Sequence, residues 1–255
     1  MRGLKGKTVI VTGGGGGIGD AACRRFAEEG AKVAVFDINK KAADATVAAI
    51  VAAKGEAKAF VCDITDYAGV QAAVNEVRAA FGPIDILVNN AGWDVFRPFL
   101  QTTPADWQKL IAINFVGTLN MHHVVLPEMI ERRSGRVVNV ASDAGRVGSS
   151  GEAVYASCKG AMIALTKTLA RETATKGISV NVVCPGPTET PLLTDVVATA
   201  NNPEKLQEAF RRAVPMGRLG VPGDLPGAIC FFASDDAGYI TGQVLSVSGG
   251  LTMAG

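Results

Sequence analysis

Short runs rich in valine and isoleucine alternate with longer alanine-rich segments of helical period from Thr8 to Val247, and this alternation constrains the chain more than any other feature. Parallel strands covered on both faces are apolar throughout, and consecutive ones need a crossover that a helix supplies. The pattern predicts strands over Thr8–Val11, Lys32–Phe36, Ala57–Cys62, Ile84–Asn89, Arg136–Ala141, Ser179–Cys184 and Gln243–Val247. Helices are predicted over Ile18–Glu29, Lys40–Ala53, Tyr67–Phe81, Pro104–Arg132, Ala153–Lys176 and Pro222–Ala233. Such a succession makes an α/β fold, a doubly wound parallel seven-stranded sheet with helices on both faces. No linker, charge block or repeat divides residues 1–255, so a single domain is expected. One irregular span, at about residues 186–220, carries Pro187, Pro191, Pro203 and Pro215 around an amphipathic piece at Glu204–Arg212, and reads as a helical flap over a substrate.

Composition narrows the classes of function. Hydrophobic residues make up 48% and charged residues 19%, enough for a sizeable core. A net charge of +1 provides no field for nucleic acid. The longest apolar runs, such as Val244 to Val247 and Ile178 to Cys184, are far shorter than the roughly 20 residues that cross a bilayer, so no membrane span is expected. The opening residues run straight into a strand without an export signal, and a cytoplasmic protein is expected. Cys23, Cys62, Cys158, Cys184 and Cys230 are scattered in apolar surroundings and read as reduced core thiols, Cys158 included despite its place beside Lys159. His122 and His123 have no cysteine or carboxylate at ligand spacing, and no metal is expected.

The first strand ends in Thr12-Gly13-Gly14-Gly15-Gly16-Gly17-Ile18-Gly19 and a helix follows. Glycine is needed where the backbone must turn sharply and approach a pyrophosphate with no Cβ between, and the helix N-terminus then faces the negative charge. A tight turn alone would need less. Asp37, with Ile38 after it, closes the second strand, where a carboxylate accepts from a ribose 2′-hydroxyl and repels a 2′-phosphate. Lys40 and Lys41 open a helix and should face solvent, so NAD is expected over NADP. Asp63, with Ile64 beside it, stands after the third strand either as a contact to the adenine edge or as a helix N-cap. Asn89-Asn90-Ala91-Gly92 ends the fourth strand at the carboxyl edge, where a doubly wound sheet meets its ligand.

Ser142 ends the fifth strand, and Tyr155-Ala156-Ser157-Cys158-Lys159 follows on a helix. Residues four apart share one helix face, so the Lys159 ammonium can approach the Tyr155 hydroxyl and favour its phenolate. An unperturbed phenol titrates near pH ~10 and is a poor base at neutrality. The arrangement points to proton transfer at a secondary alcohol beside a dinucleotide.

Thr12-Gly13-x-x-x-Gly17-x-Gly19, Asp63, Asn89-Asn90-Ala91-Gly92, Asn114, Ser142, Tyr155-x-x-x-Lys159 and Pro185-Gly186 stand in one order along nearly the whole chain. In this the chain resembles the single-domain short-chain dehydrogenase/reductase family, with its Rossmann sheet. The resemblance implies a catalytic tetrad of Asn114, Ser142, Tyr155 and Lys159. In it Tyr155 is general acid and base, Lys159 lowers its pKa and holds the nicotinamide ribose, Ser142 bonds the substrate oxygen, and Asn114 holds a water linking Lys159 to solvent. It implies cofactor contacts from Gly13, Gly16, Gly17, Ile18, Gly19, Asn90, Ala91 and Gly92, and from the segment Pro185, Gly186, Thr188 and Thr190, the two threonines being open also to loop capping. It implies a homotetramer as well. Strings such as Trp93-Asp94, Met121-His122-His123 and Gly148-Ser149-Ser150-Gly151-Glu152 are similar to members that oxidise alicyclic 2-hydroxyacyl-CoA thioesters, so an acyl-CoA substrate is expected. Trp93, Phe96 and Phe99 are candidates to wall a ring pocket, and Arg146, Lys205, Arg211, Arg212 and Arg218 to meet CoA phosphates, or else to pack and to face solvent. Reduction of a 3-oxoacyl carrier protein, oxidation of free cyclic alcohols, and a non-catalytic dinucleotide sensor remain as other readings.

Overall fold

The computed structural model describes residues 1–198 and 202–253. Its seven strands, β1 Thr8–Thr12, β2 Lys32–Asp37, β3 Glu56–Val61, β4 Ile86–Asn89, β5 Gly135–Val140, β6 Ile178–Pro185 and β7 Val244–Val247, form one parallel sheet in the order β3-β2-β1-β4-β5-β6-β7. Side-chain alternation along a strand divides the core between the two faces. Val9 and Val11 of β1 enter a cluster with Phe26, Leu225 and Ile229, whereas Ile10 enters another with Phe36, Val74 and Met121. Every residue of β1 and of β6 is buried, which is why these strands read as mostly apolar runs without the alternation of a half-exposed strand. The edge strand β3 alternates exposed and half-buried positions instead.

Helices α1 Gly17–Glu28, α2 Lys40–Ala52 and α3 Tyr67–Phe81 cross between the first four strands. The predicted helix Pro104–Arg132 is continuous but composite: α4 Pro104–Ile111, a π turn over Ala112–Val116, and α5 Gly117–Arg132. Thr103 and Asp106 close a capping box at its start. By length and composition this stretch, with mean hydropathy 1.3 over its best window, passes the test for a membrane span that the short apolar runs failed. Half of that window is buried inside the fold, where Met121, Val125 and Met129 are completely enclosed in the core. Its apolarity therefore serves the sheet face it covers.

After β5 come α6 Ala144–Val147 and α7 Ala153–Thr173, the latter extended by a 3-10 turn to Lys176. The flap predicted at 186–220 contains α8 Pro191–Ala198 and α9 Pro203–Ala213; residues 199–201 of that span lie outside the described residues. The last helix, α10, covers Pro226–Ala233 after a 3-10 turn at Pro222–Asp224. Sequence periodicity anticipates neither α6, which has a single turn, nor α8, whose Pro-Leu-Leu-Thr-Asp-Val-Val-Ala has too little polar face to show a period. Because β1 pairs with β2 on one side and β4 on the other, the crossovers diverge there and leave a crevice at the carboxyl ends of the strands.

Candidate active site

The glycine loop between β1 and α1 is shaped by contacts that exclude side chains. Gly13 has φ +63°, and a Cβ on it would stand 2.9 Å from Ala91 Cα. Gly14 N donates to Phe36 O at 2.9 Å, which folds the loop over β2. A Cβ on Gly16 would meet nothing within 4 Å, so the open side of the cradle is there, at the N-cap of α1. Thr12 Oγ1 accepts from Asn90 N and Ala91 N, both at 3.0 Å, and Asn90 Nδ2 donates to the carbonyls of Thr12 and Gly13 at 3.0 and 3.2 Å. The end of β4 is thus stitched to the loop. Free amide groups, a helix N-terminus and room for a phosphate fit a dinucleotide pyrophosphate.

Asp37 ends β2 with both oxygens engaged by backbone: Oδ2 accepts from Gly15 N at 2.9 Å and Oδ1 from Asn39 N at 2.8 Å. Ile38 beside it is 69% exposed, an apolar platform at the cleft edge. Lys40 turns away to Asp44 at 2.6 Å, and Lys41 is exposed. Of the two readings of Asp63, the cap is excluded. Asp66 caps α3 through Ala68 N, while Asp63 Oδ1 accepts from the amide and hydroxyl of Thr65 at 2.9 and 2.7 Å. The carboxylate faces the cleft in that turn, beside the buried Ile64.

Ser142 follows β5, and its Oγ accepts from Ala144 N at 3.1 Å. Tyr155 and Lys159 share one face of α7, the ammonium 5.5 Å from the phenol ring centroid and bonded to Val140 O at 3.0 Å. Burial lowers Lys159 to about 8, against the smaller pull of Cys158, Cys184 and Asp94. Burial likewise pushes the Tyr155 phenol above its ordinary value, reinforced by the charges of Asp94 and Glu152; its hydrogen bond with Ser142 acts in the opposite direction. Among these groups it is therefore Ser142 that eases ionisation of the phenol.

Of the residues predicted to form the site, all but Gly19 and Asn114 line one cleft of about 1050 Å³. Gly19 packs behind it, where a Cβ would lie 2.0 Å from Gly13 O. Asn114 is fully buried in the π turn, and its amide donates to Trp93 O at 2.7 Å and Leu110 O at 3.0 Å while its Oδ1 accepts from Trp93 N at 3.2 Å. That leaves one oxygen lone pair uncommitted. Thr188 Oγ1 donates to Gly186 O at 2.9 Å, and Thr190 Oγ1 accepts from Leu193 N at 3.2 Å, so both threonines cap the loop as well as line the cleft.

Val147, Leu192, Leu193, Phe210 and Trp93 give the cleft an apolar part of its lining. Phe96 sits beneath Gly151 and edge-on to Phe210, and Phe99 stacks on Trp107, so Trp93 alone of the three aromatic candidates lines the cleft. Arg211 and Arg212 pair with Glu208, Arg218 pairs with Asp224, and Arg146 reaches Ser246 Oγ at 2.8 Å; Lys205 is exposed on α9. His122 donates from Nδ1 to Thr118 O inside α5, and His123 meets Tyr67 Oη at 2.7 Å. Cys158 is buried with its thiol toward Leu110 O, and burial raises its pKa, as suits a packing residue.

Three groups escaped sequence reading. Lys109 on α4 lies 3.8 Å over the Trp93 ring at the cleft wall, and Asp94 and Glu152 meet inside the cleft. Trp93 and Lys109 are too far apart in sequence to show as a pair, and nothing in the string Gly151-Glu152 discloses its partner.

Residues 13–252 match the protein-family model described as enoyl-(acyl carrier protein) reductase. The chain is 38% identical over 250 residues to 3-oxoacyl-[acyl-carrier-protein] reductase FabG of Thermotoga maritima, covering 98% of this chain and 99% of that protein. It is 38% identical over 251 residues to (2S)-[(R)-hydroxy(phenyl)methyl]succinyl-CoA dehydrogenase subunit BbsD of Thauera aromatica, covering 98% of each. The crystal structure of levodione reductase superposes with a TM-score of 0.93 at 34% identity, over 96% of this chain and 97% of that one. With the parallel sheet, the glycine cradle and the serine, tyrosine and lysine in one cleft, the chain belongs to the short-chain dehydrogenase/reductase family and is an oxidoreductase of alcohols and ketones that uses a nicotinamide dinucleotide.

Proposed function

We propose that the protein oxidises the ring hydroxyl of an alicyclic 2-hydroxyacyl-CoA, of the kind of 2-hydroxycyclohexanecarboxyl-CoA, to the 2-oxo thioester with NAD. The observation that carries the reaction class is the convergence of Ser142, Tyr155 and Lys159 in the cleft that the glycine cradle opens. Bound nicotinamide supplies the hydride acceptor. Tyr155 takes the hydroxyl proton, and Ser142 donates to the oxygen as it becomes a carbonyl. Lys159, held by Val140 O, orients the ribose and offsets charge on the phenolate. Asn114 offers its uncommitted lone pair to a water that links Lys159 to solvent.

Asp37 carries the preference for NAD: its carboxylate is fixed by two amides and has a ribose-binding position, and Lys40 is spent on Asp44. Gly13, Gly16, Gly17 and Ile18 take the pyrophosphate, Asp63 and Ile64 the adenine, and Thr188 and Thr190 the carboxamide end. The apolar wall of Val147, Leu192, Leu193, Phe210 and Trp93 suits an alicyclic ring, and Lys109 at its margin suits a CoA phosphate. A relative whose own substrate is a hydroxyacyl-CoA supports the thioester. FabG supports a second reading, reduction of a 3-oxoacyl carrier protein. The outward faces of the composite Pro104–Arg132 helix, where Val116 and Ile130 are exposed, and of α7 are the surfaces proposed to assemble a homotetramer, which a monomeric mass by light scattering would refute.

A kinetic panel decides among these: cyclic and linear hydroxyacyl-CoA esters, free cyclic alcohols and 3-oxoacyl carrier protein, each with NAD(H) and NADP(H). The expected result is the highest kcat/KM for a cyclic 2-hydroxyacyl-CoA with NAD. Equal turnover of free alcohols removes the thioester reading, and preference for 3-oxoacyl carrier protein with NADPH replaces it.

A further inference from the structure

Two carboxyl groups meet in the substrate side of the cleft, and the proton transfer described above uses neither. Asp94 lies in the loop after β4 and is only 8% exposed; Glu152 stands immediately before α7. Arg97 N donates to Gly151 O at 2.8 Å, and Gly151, with φ +86°, rests on the Phe96 ring, where a Cβ would be 3.0 Å from Cζ. This latch holds the two loops together and brings the carboxyl groups within hydrogen-bonding reach of each other. Asp94 Oδ1 also accepts from Val95 N at 2.7 Å. Both residues line the catalytic cleft, and their charges act on Tyr155.

Two carboxyl groups in contact at a poorly solvated site cannot both ionise, so one proton stays between them. Burial first, and then the Glu152 contact, push Asp94 up to about 8, while Lys159 contributes only a small opposing pull. At neutral pH the pair therefore presents one acidic hydrogen and one negative charge to whatever lies beside the reacting carbon. The hydrogen suits a neutral carbonyl oxygen, and the charge repels an anion.

We infer that Asp94 and Glu152 are specificity-determining residues that read the group next to the carbinol, accepting an esterified carbonyl and turning away a free carboxylate. This rests on the proposed substrate being an esterified hydroxy acid. It gives that reading a physical cause: the unesterified acid would place a second carboxylate against a charge already buried, whereas the thioester carbonyl accepts the shared proton. Activation of the acid, by a class of reaction that forms a thioester, must then precede the oxidation.

The test compares 2-hydroxycyclohexanecarboxylate with its methyl ester, with NAD at pH 7, in the wild type and in two double variants, Asp94→Asn/Glu152→Gln and Asp94→Ala/Glu152→Ala, because either single substitution would leave its partner ionised and the charge of the pair unchanged; NADH binding reports that each variant is folded. The wild type is expected to favour the ester at least a hundredfold. Either variant narrows that ratio tenfold or more, chiefly through a lower KM for the acid. The wild-type KM for the ester rises above pH 8 as the shared proton leaves, and both double variants lose that inflection. An unchanged ester-to-acid ratio in both variants with NADH binding retained overturns the inference. If neither compound is oxidised but another alcohol is, the substrate reading has failed separately. The same ratio is then read from inhibition of that alcohol's oxidation by cyclohexanecarboxylate and its methyl ester, and equal inhibition in wild type and variants again overturns the pair's role.

Discussion

Gly19 lies so close to Gly13 that a Cβ on it would stand 2.0 Å from the Gly13 carbonyl oxygen and 2.7 Å from Asn90 Nδ2. The first turn of α1 can sit on the glycine loop only because that carbon is missing. Gly19→Ala should push the helix off the loop, at a cost of about 1–3 kcal/mol as an overpacked contact. Isothermal titration with NADH should show binding weakened at least tenfold, and the melting temperature should fall. Wild-type affinity in this variant would mean that the loop does not need the close approach.

In the proposed mechanism the Tyr155 hydroxyl moves the proton at the substrate oxygen. Tyr155→Phe should lower kcat by about 10²–10⁴, the usual worth of a positioned acid or base, and leave NADH affinity within a factor of two. Lys159→Met should lower kcat and NADH affinity together, because the same ammonium is to hold the ribose. Initial rates and fluorescence titration separate the two patterns.

On the proposed preference for NAD, the carboxylate of Asp37 at the end of β2 discriminates between the two dinucleotides. Asp37→Ser removes the carboxylate that a 2′-phosphate would face and should raise the ratio of kcat/KM for NADP to that for NAD by about tenfold, equivalent to about 1.4 kcal/mol. An unchanged ratio would move the selection to another residue.

The two perturbed groups near Tyr155 give stability a pH dependence of opposite sign in two windows. Asp94 is raised from 3.8 to about 8, so between those values the folded chain keeps a proton that the unfolded chain has released, and stability from this group falls as pH rises. Lys159 is lowered from 10.5 to about 8; between these values the unfolded chain binds the extra proton, and stability rises with pH. Each slope is at most about 1.4 kcal/mol per pH unit. Urea unfolding at pH 5, 7, 8 and 10 should show Asp94→Asn gaining on the wild type between pH 5 and 7, and Lys159→Met losing its advantage between pH 8 and 10. Parallel profiles for wild type and variants would contradict both shifts.

All five cysteines are buried as free thiols, and burial raises the pKa of each. A thiol reagent at pH 7.5 should label the native protein at least a hundredfold more slowly than the protein in urea. Rapid labelling of Cys158 would show an open thiol beside Lys159.

The sheet was legible because its signals are local. A strand buried on both faces is predominantly apolar, as β6 is apart from Ser179 and Asn181, and a helix over it must repeat at its own period. The glycine loop, Asp37 and the Tyr155 to Lys159 spacing were legible for the same reason, since each role imposes a residue type at a fixed separation. Asp63 was not: a carboxylate after a strand fits a cap and a ligand contact equally, and only the hydrogen bond of Asp66 to Ala68 N assigned the cap elsewhere. The basic residues of α9 looked free for phosphates, but Glu208 holds both Arg211 and Arg212.

By itself, then, the sequence determined the layer architecture, the glycine loop and the shared helix face of Tyr155 and Lys159, all of which depend on spacings of a few residues within one strand, loop or helix. Tertiary structure alone decided that Asp94 meets Glu152, that Lys109 covers Trp93, and that burial sets the Tyr155 and Lys159 equilibria. Those features join segments from separate crossovers, and the dielectric surroundings and proton sharing that define them exist only once the sheet has brought those segments to one edge.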